Sequence, residues 1–250
     1  MITLKTAEQA AKMRAAGHLL ERVMEAVCSA ALPGVTTGHL NKIADQMIRD
    51  AGAVPSSYGY KGFPASICTS VNSVVVHGIP GDEPVLEGSI IGLDCTISLD
   101  GWQADMARTV AVGRISKEAE RLIAVAERCF FEALAQCRVG NRLGDIGHAV
   151  QACAESEGFS VVRALCGHGI GRAMHEDPEV SNVGEAGRGM RLRPGMTLAV
   201  EPMINMGGYE VTVNGWDVKT LDGSLSAHYE NTVLITHGAP EVLTMKAVGA

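Results

Sequence analysis

The chain repeats itself, and the repeat narrows the folds open to it. LPGVTTGHLNKIADQMIRDAGA at 32–53 aligns without gaps to RVGNRLGDIGHAVQACAESEGF at 138–159, an offset of 106 residues. Gly34 falls on Gly140, Gly38 on Gly144, Leu40 on Ile146 and Gly52 on Gly158. Each segment reads as a loop opening a helix that stops at a glycine, the residue that tolerates the left-handed backbone just past a helix end. Each also follows a longer helical pattern, at about 6–30 and about 116–138, and Thr6 with Gln9 fits a capping box for the first. Further on, LEGSIIGLD at 86–94 matches LRPGMTLAVE at 192–201 and sets Asp94 against Glu201 at an offset of 107. Two helices followed by antiparallel strands, given twice, predict an α+β fold in a single domain over 1–250, with halves at about 6–112 and 116–236. Its pseudo-two-fold antiparallel sheet is expected to be covered on the apolar face by two pairs of helices.

The repeat carries acids. Asp94 in SIIGLDCTIS, Asp105 in WQADMARTV, Glu201 in MTLAVEPMIN and Glu230 in HYENTVLIT lie in segments that read as strands. Odd steps from each acid are mostly apolar, as with Ile91, Leu93, Cys95 and Ile97 around Asp94, while even steps are mostly small or polar. The acids therefore share the face away from the core. Asp100-Gly101 is a strong type I′ hairpin signal, which pairs Thr96 with Asp105 and makes Asp94 and Asp105 diagonal neighbours. Carboxylates gathered in low dielectric repel one another, so the pattern calls for a neutralising cation, most simply a metal.

The rest of the composition excludes other classes. A net charge of −7 and a pI near 5.6 give no basic footprint for nucleic acid. The opening MITLKTAEQAAKMRAAGHLL lacks the apolar region of a signal peptide, and no run reaches the roughly 18 apolar residues of a membrane span. Seven cysteines, odd in number and without CxxC spacing, read as reduced thiols, so a soluble cytoplasmic protein is expected. Of the histidines, His18, His39, His148 and His237 sit in helical patterns or near the chain's end. His77 in VVVHGIP, His168 in GHGIG and His175 in AMHEDP are flanked by glycine or proline, which suits close backbone approach at a site.

Taken in order, VVVHGIP, LDCTISLDGWQADMART, GHGIGRAMHEDP, MTLAVEPMIN, GWDVKT and AHYENT resemble the type I methionine aminopeptidases of the pita-bread fold, in their short form. The resemblance implies two divalent ions, one held by Asp105, His168, Glu201 and Glu230 and the other by Asp94, Asp105 and Glu230. Four carboxylates balance two such ions, and mostly oxygen ligation suits Mn, Fe(II) or Co, with Zn also possible. It further implies that Glu201 accepts a proton from the attacking water, that His175 contacts the scissile carbonyl and that His77 contacts the scissile nitrogen. The methionine pocket would be walled by Tyr60, Phe63, Cys68, Met174 and Trp216, with His77 at its edge. Phe63 stands where the family commonly has Tyr, and Met174 where it usually has Phe, so Met is expected to be preferred with other unbranched side chains tolerated more than usual. Proline-specific peptidases share the fold but place a domain before the catalytic one, and a non-catalytic relative has no need of all five ligands. The implied substrate is the N-terminal Met of nascent chains with a small second residue, reached by a monomer through transient contact with the ribosome.

Overall fold

The computed structural model describes residues 2–246. Helix α1 (Ala7–Ala30) starts at the expected capping box: Gln9 N–H donates to Thr6 Oγ1 (3.3 Å), and Gln9 Oε1 accepts from Thr6 N–H (3.0 Å). Helix α2 (Thr37–Asp50) follows, and α3 (Lys117–Gln136) and α4 (Leu143–Ser156) repeat the pair in the second half. Gly52 and Gly158, matched in the repeat, take left-handed φ values of 74° and 79° just past α2 and α4, which stop there.

A nine-stranded antiparallel sheet runs through the molecule. Its strands lie in the order Val54–Pro55, Ile90–Leu99, Trp102–Ala111, Glu230–Leu234, Thr197–Val200, Cys166–Gly169 and Glu176–Ser181, with Cys68–Val71 and Glu241–Val242 pairing from the side. Trp102–Ala111 and Glu230–Leu234 pair near the middle of this order, flanked by the strand of Asp94 on one side and the strand leading to Glu201 on the other. Asp100 and Gly101 take φ of 52° and 74°, and the hairpin they close pairs Leu99 with Trp102 and Thr96 with Asp105 as turn chemistry predicts.

Two cores hold the helices to one sheet face. Leu20, Val23 and Val27 of α1 and Leu40, Ala44 and Ile48 of α2 pack on Ile91, Leu93, Cys95 and Ile97. Phe130 and Cys129 of α3 and Ile146 and Val150 of α4 pack on Leu198, Val200 and Val233. Ile91, Leu93, Cys95 and Ile97 have no exposed surface, and burying each large aliphatic side chain contributes about 1.5–3 kcal/mol. Gly92, Asp94, Thr96 and Ser98, at the even steps, are thereby turned to the opposite face.

The second half departs from the expected strands. MTLAVEPMIN is not one strand: Thr197–Val200 belongs to the large sheet, Met203–Asn205 to a three-stranded sheet with Ser226–His228 and Ser160–Val161, and Glu201 sits at the break. Pro202 supplies the reason, because it has no N–H to continue a ladder. HYENTVLIT breaks in the same way at Tyr229, and Glu230 is the first residue of its strand. A third sheet joins Val211–Asn214, Asp217–Thr220 and Val74–Val76 and brings Trp216 and His77 near one another. All seven cysteines are free.

Candidate active site

The acids meet because the ladders align them. One row of paired residues runs Cys68, Asp94, Ala107, Glu230 across four strands, and Asp105 is two residues from Ala107 on the same face. A second row runs His168, Ala199, Thr232, with Glu201 two residues beyond Ala199. Ala107 and Ala199 leave room between the larger side chains. Thr96 Oγ1 donates to Asp105 Oδ1 (2.8 Å), and Met106 N–H donates to the same oxygen (3.1 Å), which fixes that carboxylate with its other oxygen free. Asn182 Nδ2 holds the Glu201 carbonyl at 2.9 Å, steadying the strand break.

The acids are in an environment that resists their charge. Burial, then the Asp105 charge, pushes Asp94 well above the usual carboxylate range, while the Cys68 thiol hydrogen-bonds it and opposes the rise. Burial raises Asp105 to about 7 against its hydrogen bonds from Thr96 and Met106. Glu201 and Glu230 are also pushed well up, by burial first and by the neighbouring carboxylates second. Among the side-chain oxygens, Glu230 Oε1 is buried with no hydrogen-bond partner. His168 completes the group: its Nδ1 contacts the Gly169 carbonyl at 2.9 Å, so the proton lies there and the Nε2 lone pair faces Asp105 Oδ2 (3.8 Å) and Glu201 Oε1 (3.5 Å). Burial lowers the His168 pKa, so these are contacts of a neutral ring and not salt bridges. Buried carboxylates with free oxygens, converging with a neutral imidazole nitrogen, fit a divalent cation: Asp105, His168 and Glu230 place donor atoms within 4.8 Å of one another, as do Glu201, His228 and Glu230.

A cavity of about 340 Å³ opens over this group, and all twelve residues singled out in the sequence line it. Asp94, Asp105, His168, Glu201 and Glu230 form one end, and Tyr60, Phe63, Cys68, His77, Met174, His175 and Trp216 the walls. Phe63 and Trp216 pack edge to face at 5.2 Å, His77 stands perpendicular to Trp216 at 6.2 Å, and Tyr60 lies 5.3 Å from His175. His175 and His168 rings are 4.2 Å apart. His77 holds φ of 62°, an uncommon conformation for its type, and the chain then passes so close to Thr69 that a Cβ on Gly78 would meet the Thr69 carbonyl at 2.2 Å. Burial lowers the His77 pKa, with the His175 charge second, and lowers His175 to about 4, with the His168 charge second.

The pattern of metallopeptidase family M24 matches residues 11–237. A methionine aminopeptidase of Clostridium acetobutylicum is 50% identical over 98% of this chain and 99% of its own length, and one of Clostridium perfringens is 49% identical over the same shares. The crystal structure of methionine aminopeptidase from Rickettsia prowazekii superposes with a TM-score of 0.96 at 43% identity, covering 98% of this chain and all of that one. The chain belongs to the methionine aminopeptidases of family M24. Its architecture is accordingly the pita-bread fold.

Two further features of this family member come from its tertiary structure. The first is a clamp on the loop that carries Met174 and His175. Lys5 Nζ donates to Glu176 Oε2 at 2.7 Å, and the other oxygen, Oε1, accepts from Arg172 N–H (2.7 Å) and Ala173 N–H (3.3 Å). A Cβ on Gly171 would lie 2.5 Å from Lys5 Cε, so glycine there makes room for the pair. The second is His228, buried behind Glu201 and Glu230. Its signal was available: it lies two residues from Glu230, the spacing that keeps a strand residue on one face. Burial lowers its pKa to about 3, with the charges of His77 and Arg108 next. No helix of the described residues is long and apolar enough to cross a membrane.

Proposed function

We propose that this protein removes the N-terminal methionine from peptides and nascent proteins, by hydrolysis of the first peptide bond at the cavity over Asp94, Asp105, His168, Glu201 and Glu230. The observation that carries the reading is the convergence of these five donors with His77 and His175 in one cavity, in a chain of the methionine aminopeptidase family. Two divalent ions, of the Mn, Fe(II), Co or Zn class, would be held there, with Asp105 and Glu230 shared. When bound, they supply Lewis acidity that activates water and polarises the scissile carbonyl.

The protein's own groups then divide the work. Glu201 takes up the proton released by the attacking water, as a buried carboxylate set beside the other donors. His175 donates an imidazole N–H to the carbonyl oxygen as charge develops there, and its lowered pKa keeps the ring neutral at pH 7. His77, also neutral, contacts the scissile nitrogen. Tyr60, Phe63, Cys68, Met174 and Trp216 receive the first side chain, where Met174 adds a flexible, polarisable thioether to the two packed rings. Residues 1–250 would form one catalytic domain of two repeat halves, of which residue 1 and residues 247–250 lie outside those described. It acts as a monomer in the cytoplasm, meeting nascent chains with small second residues through transient ribosome contact.

Metal analysis of purified protein, with release of Met from Met-Ala-Ser and no cleavage of Gly-Pro or Ala-Pro-Ala, tests this. Inactivity on Met-Ala-Ser with each of the four ions supplied refutes it.

A further inference from the structure

Glu201 and Glu230 face one donor that the five proposed ligands leave out. His228 has 3% of its surface exposed, and its Nε2 lies 3.7 Å from Glu201 Oε2 and 3.8 Å from Glu230 Oε2. Those separations are too long for hydrogen bonds, and Nε2 has no other partner. A buried ring nitrogen left unpaired is costly, so its aim between two carboxylates needs a reason.

The spacing supplies it. Donors about 2.1 Å from one ion, at angles near tetrahedral, stand about 3.4 Å apart, and wider angles lengthen this. His168 has that relation to its neighbours, at 3.5 Å from Glu201 Oε1 and 3.8 Å from Asp105 Oδ2. His228 repeats it on the opposite oxygen of Glu201. Its backbone is also pinned: Thr109 Oγ1 donates to the His228 carbonyl and accepts from the His228 N–H, both at 2.9 Å, while His228 pairs with Met203 in the small sheet. The ring is therefore held at the acids and is not swept there by chance.

We infer that His228 Nε2 is a further donor to the divalent ion held between Glu201 and Glu230. This rests on the metal centre proposed above. That ion then has two imidazole nitrogens, from His168 and His228, while the position next to Asp94 offers oxygens alone. The two positions become unequal. The nitrogen-richer one loads first and favours Co, Zn or Fe(II) over Mn, because imidazole suits those ions better than carboxylate-only ligation does.

The test uses Co(II) titrated into the full-length, ion-stripped protein and followed by proton NMR in water, where the ring N–H of a ligated histidine is displaced far outside the diamagnetic range. At one equivalent, two exchangeable displaced resonances are expected in the wild type and one in His228→Gln, with Co(II) bound about 10–100-fold more weakly in the variant. X-ray absorption of the wild type at the same loading should count two imidazoles per Co. Should the variant fail to fold, that wild-type count still decides. One displaced resonance and one imidazole, with Co(II) bound stoichiometrically, overturns the inference and leaves the proposed centre standing. Absence of stoichiometric Co(II) binding overturns both.

Discussion

Stripping the ions should make this protein less stable as pH rises, the reverse of what its ordinary surface carboxylates do. Asp105 is raised from 3.8 to about 7 in the folded state, with burial as the main cause. A carboxyl shifted upward on folding contributes stability that is fully present below its unfolded value, and the contribution is lost as pH climbs through the folded value. From 3.8 to about 7, the full loss from Asp105 alone is about 4 kcal/mol, of which about 2 kcal/mol falls between pH 5.5 and 7.5. Asp94, Glu201 and Glu230 move the same way and add to the loss at higher pH. Urea unfolding with a chelator present measures it: with m near 3 kcal/mol per M, the midpoint should fall by about 0.7 M or more across that interval. Saturating ions should abolish the fall, since ligation requires deprotonated carboxylates, and calorimetry in two buffers of different ionisation heat should show at least two protons displaced per chain at pH 7. Asp105→Asn should remove about 2 kcal/mol of the pH dependence. A stripped protein equally stable at pH 5.5 and 7.5, or displacement of less than one proton, would refute the reasoning.

Replacing His77 or His175 with Ala should lower kcat by about 10²–10⁴-fold with ion content unchanged, as measured by metal analysis beside steady-state kinetics; loss of the ions with the activity would assign these rings a ligand-orienting role instead. Lys5→Met breaks the buried pair with Glu176 and should cost about 3–5 kcal/mol in urea unfolding, with kcat reduced through the loosened His175 loop. An additional Glu176→Gln change should recover part of that stability, and an additive double mutant would deny the coupling. Across tripeptides that differ in the first residue, Met should be cleaved best and other unbranched side chains next, whereas strict selectivity for Met would count against the looser pocket drawn from Phe63 and Met174.

Some of the site was legible because its causes are local. Asp100-Gly101 dictates a turn whose backbone neighbours cannot choose otherwise, and the register of Asp94, Thr96 and Asp105 follows by counting. The Thr6 and Gln9 cap and the terminating glycines at 52 and 158 likewise act within a few residues of themselves. Motif resemblance supplied the remaining proposed ligands and wall residues, none of which has a local signature strong enough to stand alone. Glu201 shows where period-two reasoning stops: its alternation predicts one strand, but Pro202 passes the chain to a second sheet.

What a residue does beyond its own segment waited for the folded chain. Lys5 and Glu176 are 171 positions apart, and nothing near either announces the other. His228 carried a hint in its spacing from Glu230, yet spacing names a face and not an occupant: its nitrogen reaches Glu201 only because two sheets exchange strands at Pro202 and Tyr229. Composition and pattern thus determined the helices, the alternation around Asp94 and Asp105 and the hairpin between them, since these depend on backbone preference and side-chain alternation over a few residues. The clamp and the placing of His228 beside Glu201 and Glu230 were decided by packing, because their partners are brought together only in the folded chain.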